Sequence, residues 1–381
     1  MHSKIRVLHI LDELNTGGAE RIVFSYFQNI DRDKFQWDFV VTRYADPNKK
    51  GILEDKIESM GGRIYRVHRK RENYLKNIND IDKIIKNGNY DIVHSHLDEL
   101  STFYLFSAKK YKVPVRICHS HVAGTDRGSG VEMLCKLLKP VMRWVTTDKF
   151  ACGIDAGAAL WGRDAINKGK VYIMKNAINT KAFTYNETIR MIKRKELKIE
   201  SSTTVVGSVG RLSYQKNSDF IVDIFAKFHE INPNSVLVLV GEGDLLGTIK
   251  RKMNKYKLHD CMRLIGSRND VNEIMMAMDL FLLPSRFEGL PIVMVEAQCT
   301  GLPCLAADSI TKEIKLSDRV EYFSLDNNAE EWAKLLCNNI EKNNRDAGFK
   351  IVKDNGYEIK YATDNLDIYY SRRIKELKHV K

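Results

Sequence analysis

The chain has 381 residues, of which 44% are hydrophobic and 29% charged, a size and balance that fit two soluble globular domains and exclude a disordered polypeptide. Its formal net charge of +12 directs attention to anionic partners: phosphorylated substrates, a membrane surface or nucleic acid. No apolar run approaches the roughly 18 to 20 residues that span a bilayer, and the start of the chain lacks the basic, apolar and small-residue layout of a secretory signal. The seven cysteines include no Cys-x-x-Cys pair, which reads as buried cytosolic thiols and not as a disulfide framework or a zinc site.

From the N-terminus, short β-rich runs alternate with helical spacing. Strands are expected at Ile5–Ile10, Trp37–Val41, Ile64–Val67, Ile92–His94, Val115–Cys118, Phe150–Cys152 and Val171–Ile173. Helices are expected at Gly18–Asn29, Ile78–Asn87, Leu100–Tyr111 and Val131–Val145, the last strongly amphipathic. A polar, charged break spans residues 179–202 and holds one short helix near residues 186–197. Alternation then resumes with strands at Val205–Val209, Val236–Val240, Met262–Ile265, Leu280–Leu283 and Leu302–Ala306. Helices fall between them at Ser218–Ile231 and Leu245–Tyr256, from Asp270, and from Pro291 to Cys299, followed by Ala329–Asn339. Asp270 with Glu273 has the form of a capping box. A last helix, Asp364–Lys378, carries enough apolar positions to dock. Alternation of this length predicts two tandem α/β domains, each a parallel sheet covered on both faces.

Several residues fall where chemistry belongs. The apolar run before Ser285 leads into Arg286-Phe287-Glu288-Gly289-Leu290-Pro291, and a helix follows. A helix start leaves backbone N–H groups unpaired and partly positive, which favours phosphate oxygens. Glu288 and Glu296, one in the loop and one in the helix, add acceptors suited to sugar hydroxyls, so the segment suggests a nucleotide-sugar pocket. Arg211 and Lys216 follow a strand, where a fixed guanidinium fork and a mobile ammonium suit a diphosphate. Gly17 and Gly18 sit at the first strand–helix turn and let backbone approach an anion, although a tight turn alone would also explain them. The dinucleotide spacing Gly-x-Gly-x-x-Gly is absent there, which weakens a nicotinamide or flavin reading.

Asp91-Ile92-Val93-His94-Ser95-His96 and Arg116-Ile117-Cys118-His119-Ser120-His121 place histidines at the carboxyl ends of strands, the edge where open α/β sheets bind ligands. His119 or His121 could hydrogen-bond a sugar hydroxyl or steady a developing charge; His94 reads better as a satisfied strand-end histidine. The His-x-His spacing invites a metal, but no carboxylate or cysteine stands nearby in a ligand order, so none is expected. The basic stretch from Arg66 to Arg71 could rest on an anionic membrane or be a solvated loop. Nucleic acid is disfavoured for want of an aromatic-interleaved basic motif.

Taken together, Asn-Thr-Gly-Gly-Ala-Glu (15–20), the strand-end histidines, Gly-Arg-Leu…Lys-Asn (210–217), Gly-Glu-Gly (241–243) and Pro-Ser-Arg-Phe-Glu-Gly-Leu-Pro…Glu (284–296) resemble retaining glycosyltransferase family 4, nearest its bacterial exopolysaccharide, capsule and O-antigen members. The resemblance implies a GT-B fold, two Rossmann-like domains facing each other across a cleft. The N-terminal acceptor domain would span residues 1–180, with the helix 360–381 packing back on it, and the nucleotide-sugar domain residues 181–359. It further implies that Glu296 binds the ribose, Glu288 the donor sugar, and the backbone at Gly289 and Leu290 the distal phosphate, helped by Arg211, Lys216, Gly17 and Gly18. Ser267 to Asp270, with Arg268 and Asn269, would flank the base, and His119 or His121 would face the acceptor. The residues 176–179 depart from the family's usual Asn-Gly-x-Asp, which touches hinge detail more than chemistry. The implied reaction moves a sugar from a UDP-sugar to a lipid-linked carbohydrate acceptor, without a metal or other cofactor. It would take place in the cytoplasm, peripheral to the inner face of the membrane. A nucleotide-sugar isomerase such as a UDP-N-acetylglucosamine 2-epimerase, or an idle subunit of a polysaccharide assembly complex, are the alternatives.

Overall fold

The computed structural model describes residues 4–15, 17–42, 50–69, 72–121, 129–339, 345 and 347–378. The chain forms two units, one from Met1–Ala177 with Ile359–Lys381 and the other from Ile178–Glu358.

The first unit carries strands β1 (Ile5–Leu11), β2 (Phe35–Val41), β3 (Arg63–Arg66), β4 (Ile92–Ser95), β5 (Val115–Ser120), β6 (Asp148–Ala151) and β7 (Val171–Ile173). They pair in the order β3-β2-β1-β4-β5-β6-β7, parallel throughout. Parallel strands need crossover connections, and the intervening helices cover both faces, so the strands are apolar on both sides. One face buries Leu8, Ile10, Val40, Val93 and Cys118 beneath Tyr104, Leu105, Met142 and Val145. The other presents His9, Trp37 and Phe39 to Phe27 and to Tyr370 of the last helix, Ile359–Lys378. That helix is secured by Asp148, which accepts from Arg373 Nε at 2.6 Å and from Tyr369 Oη at 2.7 Å.

The second unit holds β8 (Thr204–Val209), β9 (Ser235–Val240), β10 (Met262–Leu264), β11 (Leu280–Leu283), β12 (Cys304–Ala307) and β13 (Val320–Phe323), in the order β10-β9-β8-β11-β12-β13. Both sheets are Rossmann-like. In each, the connection reverses direction once, between β1 and β4 and between β8 and β11, and the carboxyl ends of the strands at such a point form a crevice for ligands. The helices Glu54–Ser59, Ile154–Trp161, Arg163–Asn167 and Gly348–Asp354, and strand β13, add to the elements expected from the sequence, and the last helix starts five residues earlier than expected, at Ile359.

The capping box expected at Asp270 does not form. The helix does begin at Val271, but Asp270 makes no side-chain cap bond, because its carboxylate is drawn to Arg268 Nε at 2.8 Å and Lys193 Nζ at 2.6 Å. Charge-assisted partners outcompete a backbone N–H at that position.

Candidate active site

The second unit gathers its polar residues at the β8–β11 switch point. β8 and β11 pair directly, Leu280 with Val206 and Phe281 with Gly207, so the loops that follow them are neighbours. Lys216, from the first loop, places Nζ 2.6 Å from Glu288 Oε1 of the second. The side chains are 18% and 7% exposed, so this is a largely desolvated ion pair at a ligand edge. Three residues to which the sequence reading gave no role of their own brace it. Gln215 donates from Nε2 to Phe287 O at 3.2 Å, and the Arg286 backbone N–H donates to Gln215 O at 2.8 Å. Asn217, in the left-handed region at φ 53°, accepts from Arg286 Nη2 at 2.9 Å, and Arg286 also stacks over Tyr214.

Two glycines let these loops close up. Gly210 has φ +154°, and the Lys216 stem lies over it, 3.2 Å from where a Cβ would stand. At Gly241, φ +134°, a Cβ would fall 2.0 Å from the Gly210 carbonyl oxygen, so only glycine fits. Backbone bonds from Gly210 N to Val240 O and from Leu212 N to Glu242 O then knit the β8 and β9 loops together. Gly210, Arg211, Leu212, Lys216 and Ser218 line a small pocket there.

Arg211 stands apart from the Lys216–Glu288 pair. Its side chain is 72% exposed and lies 3.5 Å from exposed Asp244. Gly289 and Leu290 lead into Pro291, which caps the helix Ile292–Cys299, and Glu296 is buried within that helix. Arg268 and Asn269 follow β10 on the same edge of the sheet. The Arg268 fork is committed to Asp270 and to Glu196 at 2.7 Å, so it fastens the loop instead of presenting a free cation.

In the first unit, Gly17 and Gly18 follow β1 at the other switch point, and both are exposed. Thr16 of that motif lies outside the described residues. Glu20, in the first turn of the helix Gly18–Asn29, curls back so that a Cβ on Gly17 would meet its carboxylate at 2.1 Å. Burial, with Glu13 and Asp12 nearby, pushes the Glu20 carboxyl up to about 7.

The histidines form a cluster larger than the sequence suggested. His9 of β1 pairs in register with His94 of β4, and His96, His119 and His121 extend from the same strand ends. His9 Nδ1 lies 3.0 Å from His96 Nε2, whose ring reaches His121 Nε2 from Nδ1 at 2.9 Å. In a second row, Tyr370 Oη lies 2.6 Å from His94 Nδ1, and His94 Nε2 lies 3.1 Å from His119 Nδ1. The rows stack, with His94 over His96 at 4.2 Å and His119 over His121 at 4.1 Å between ring centres. Burial lowers every one of these imidazoles below its ordinary value, His9 to about 3 and His121 to about 4. At neutral pH all five are therefore uncharged. His121 alone among them is partly exposed.

The described side chains of the basic stretch at the end of β3 are paired within their own unit. Arg66 pairs with Glu54, His68 with Asp80 at 2.5 Å and Arg69 with Glu72 at 3.0 Å, whereas Lys70 and Arg71 lie outside the described residues.

Comparison with known proteins decides the family. Residues 16–182 match the model of Glycosyltransferase Family 4, and residues 190–350 that of Glycosyl transferases group 1. A putative glycosyltransferase, EpsF of Bacillus subtilis (strain 168), is 32% identical over 340 residues, 88% of each chain. The chain belongs to glycosyltransferase family 4. This glycosyltransferase is also 26% identical to the UDP-Gal:alpha-D-GlcNAc-diphosphoundecaprenol alpha-1,3-galactosyltransferase of Escherichia coli, over 92% of its own length and 95% of the relative's. Among solved structures, HepE of Anabaena in complex with UDP and glucose superposes with a TM-score of 0.79 at 16% identity, covering 96% and 99% of the two chains. The glycosyltransferase thus has the GT-B fold.

Proposed function

We propose that this glycosyltransferase moves a sugar from a UDP-sugar to a hydroxyl of a lipid-linked carbohydrate, with retention at the anomeric carbon, as a step in bacterial surface polysaccharide synthesis. The observation that carries the donor half is the buried Lys216–Glu288 pair at the β8–β11 switch point, beside the start of the helix Ile292–Cys299. As the glycosidic bond breaks, negative charge grows on the departing diphosphate. Lys216, Arg211 and the backbone N–H groups around Gly289 and Leu290, at the positive end of the helix, supply the countercharge, without a metal. Glu288 then accepts from the donor sugar and Glu296 from the ribose. The backbone of residues 267–270 flanks the base, its shape held by the tied Arg268. His119 or His121 meets the acceptor. Support for UDP comes from the HepE complex, and support for a lipid-linked acceptor from the diphosphoundecaprenol in the E. coli relative's name.

A panel of nucleotide sugars scored by thermal shift and UDP release tests the assignment. The true donor is expected to raise Tm and to release UDP only with an acceptor present, giving a product whose anomeric configuration is that of the donor. Epimer formed from the donor alone would overturn the transferase in favour of an isomerase.

Membrane contact is assigned to the helix Ser129–Val145. Its Cys135, Met142 and Val145 are buried, whereas Met133, Leu137, Val141 and Trp144 form a separate outward stripe. Leu137 is 69% and Trp144 60% exposed, and Lys136 and Arg143 flank the stripe. Lys109 lies 3.7 Å over the Trp144 ring. An apolar stripe edged by cations suits the surface of an anionic bilayer. No helix among the described residues is long and apolar enough to cross one. Wild-type protein is expected to cosediment with vesicles rich in phosphatidylglycerol and not with pure phosphatidylcholine. Leu137→Glu/Trp144→Glu should lose at least about tenfold in affinity. Equal binding of both proteins would remove this helix from the contact.

A further inference from the structure

The loop that follows β10 is held from two sides. On one, the Gly266 carbonyl accepts from the Gly241 N–H at 2.8 Å, and Gly241 itself packs on Gly210 beside the Lys216 stem. On the other, Lys193 of the helix Glu187–Glu196 reaches the loop with its side chain only 11% exposed. Its Nζ lies 2.6 Å from Asp270 Oδ2 and 3.0 Å from both Glu196 Oε2 and Glu273 Oε2. Arg268 donates to Asp270 Oδ1 from Nε at 2.8 Å and shares Oδ2 with Lys193 through Nη2 at 2.7 Å. Asp270 is thus bound at both oxygens. The bonds from Arg268 first and Lys193 next, working against burial, hold its carboxyl below the usual carboxylate range. Residues 268 and 270 are spent inward, whereas Ser267 and Asn269 are exposed at the ligand edge of the sheet.

An isolated surface ion pair contributes little, but this ammonium joins carboxylates from three places. Asp270 belongs to the loop, Glu273 to the helix Val271–Ala277 and Glu196 to its own helix. Without it, the three carboxylates would repel one another around Arg268. The support behind Lys193 is also fixed. Arg190 donates to Met278 O at 2.9 Å, and Arg194 to Ala277 O at 3.1 Å and to Asp279 Oδ2 at 2.5 Å, so the helix Glu187–Glu196 is pinned at the foot of β11. A side chain projecting from a pinned helix can hold a loop to a defined shape.

We propose that Lys193 is a positioning residue for the nucleobase of the donor, acting through Asp270 to hold the backbone of residues 266–270 in the shape that the base meets. The ammonium is spent on carboxylates and acts on the donor only through the loop. Its contribution falls on recognition of the base and not on the bond that breaks, which lies with Lys216 and the helix start. This rests on the proposal that residues 267–270 flank the base.

The test compares two ligands on the full-length protein: UDP, and ribose 5-diphosphate, which has the same diphosphate and ribose but no base. Lys193→Met removes the ammonium and keeps most of the side chain's length. It is expected to weaken UDP about tenfold and ribose 5-diphosphate less than about twofold. Donor KM should rise about tenfold, with kcat at saturating donor within about twofold of the wild type. The two ligands carry the same charge, so a plain loss of electrostatic attraction, or a general loosening of the unit, would weaken both alike and overturn the proposal. Lys193→Arg keeps a cation facing Asp270 and should restore most of the UDP affinity. Hydrogen exchange at residues 266–270 of the free protein should quicken in Lys193→Met and not in Lys193→Arg. If Lys193→Met does not fold, Glu196→Gln at the more exposed acceptor shared by Lys193 and Arg268 should give the same pattern at about threefold. Equal loss for both ligands there would overturn the proposal too. In the wild type, UDP is expected to slow exchange at residues 266–270 more than ribose 5-diphosphate does. Equal protection by the two would remove the base from this loop. Stronger protection by UDP, with Lys193→Met binding UDP as the wild type does, would leave the base in place and remove only the role of Lys193.

Discussion

Lowering the pH from 7 to 5 is expected to unfold the first unit while the second stays folded. The five clustered imidazoles are buried and neutral, and their proton affinities are lowered by burial first and by one another second. In the unfolded chain each would titrate near its ordinary value of about 6.5. Between that value and the folded ones, about 4 for His121 and about 3 for His9, the unfolded state binds protons that the folded state refuses. Stability is therefore fully present above about pH 7 and falls as the pH drops through 6.5. At pH 5 the loss is about 2 kcal/mol for each of His9 and His121, and the lowered proton affinities of His94, His96 and His119 add to it in the same direction, a large part of the stability of a domain. The second unit has no buried histidine among its described residues. Hydrogen exchange at a series of pH values should show β1, β4 and β5 losing protection between about pH 6 and 5, ahead of β8 and β11. Loss of both sheets together would contradict it. His9→Phe, which removes one imidazole from among Trp37 and Phe39, should move the midpoint toward lower pH.

Lys216→Ala is expected to cut turnover by about 10²- to 10³-fold. The effect has two sources, and they separate. The ammonium is the buried cation at the switch point, so its loss removes charge stabilisation from the departing diphosphate. It also leaves Glu288, 7% exposed, without its countercharge, which costs folding stability. Adding Glu288→Gln removes the stranded charge, so the double variant should regain the lost Tm but not the lost turnover. If Lys216→Ala alone keeps kcat within about threefold, the cation does not act on the leaving group. Arg211→Ala should be milder, since its side chain is 72% exposed and its countercharge is screened by water.

The same two sites show what a linear sequence can reveal. Strand–turn–helix units announce themselves through local apolar runs and turn chemistry, so Glu288, Gly289 and Lys216 were legible as residues at strand ends. Their contact depends on β8 lying beside β11, a long-range pairing with no local signature. The bracing roles of Gln215, Asn217 and Arg286 were not legible for that reason, because each matters only through a partner some 70 positions away. His9 was missed differently. It reads as an ordinary strand residue until register brings it opposite His94. Arg211 and Arg268 mark a further limit: sequence places a cation at a strand end but does not say whether it is solvated, as at Arg211, or spent on nearby carboxylates, as at Arg268. In the basic stretch around β3, likewise, Glu54, Asp80 and Glu72 answer the charges of Arg66, His68 and Arg69.

The discontinuous first unit also bears on how the polypeptide is made. Residues 178–358 form the second unit as one uninterrupted segment, whereas the first unit lacks Tyr369, Tyr370 and Arg373 until that segment has been made. On the ribosome, the segment translated first is therefore completed last. Until the final helix emerges, Asp148 has no guanidinium, His94 has no hydroxyl, and the apolar face around Phe35 and Trp37 stays uncovered. A premature stop near residue 358 would release an intact second unit joined to a first that holds all seven of its strands but not the helix that covers them.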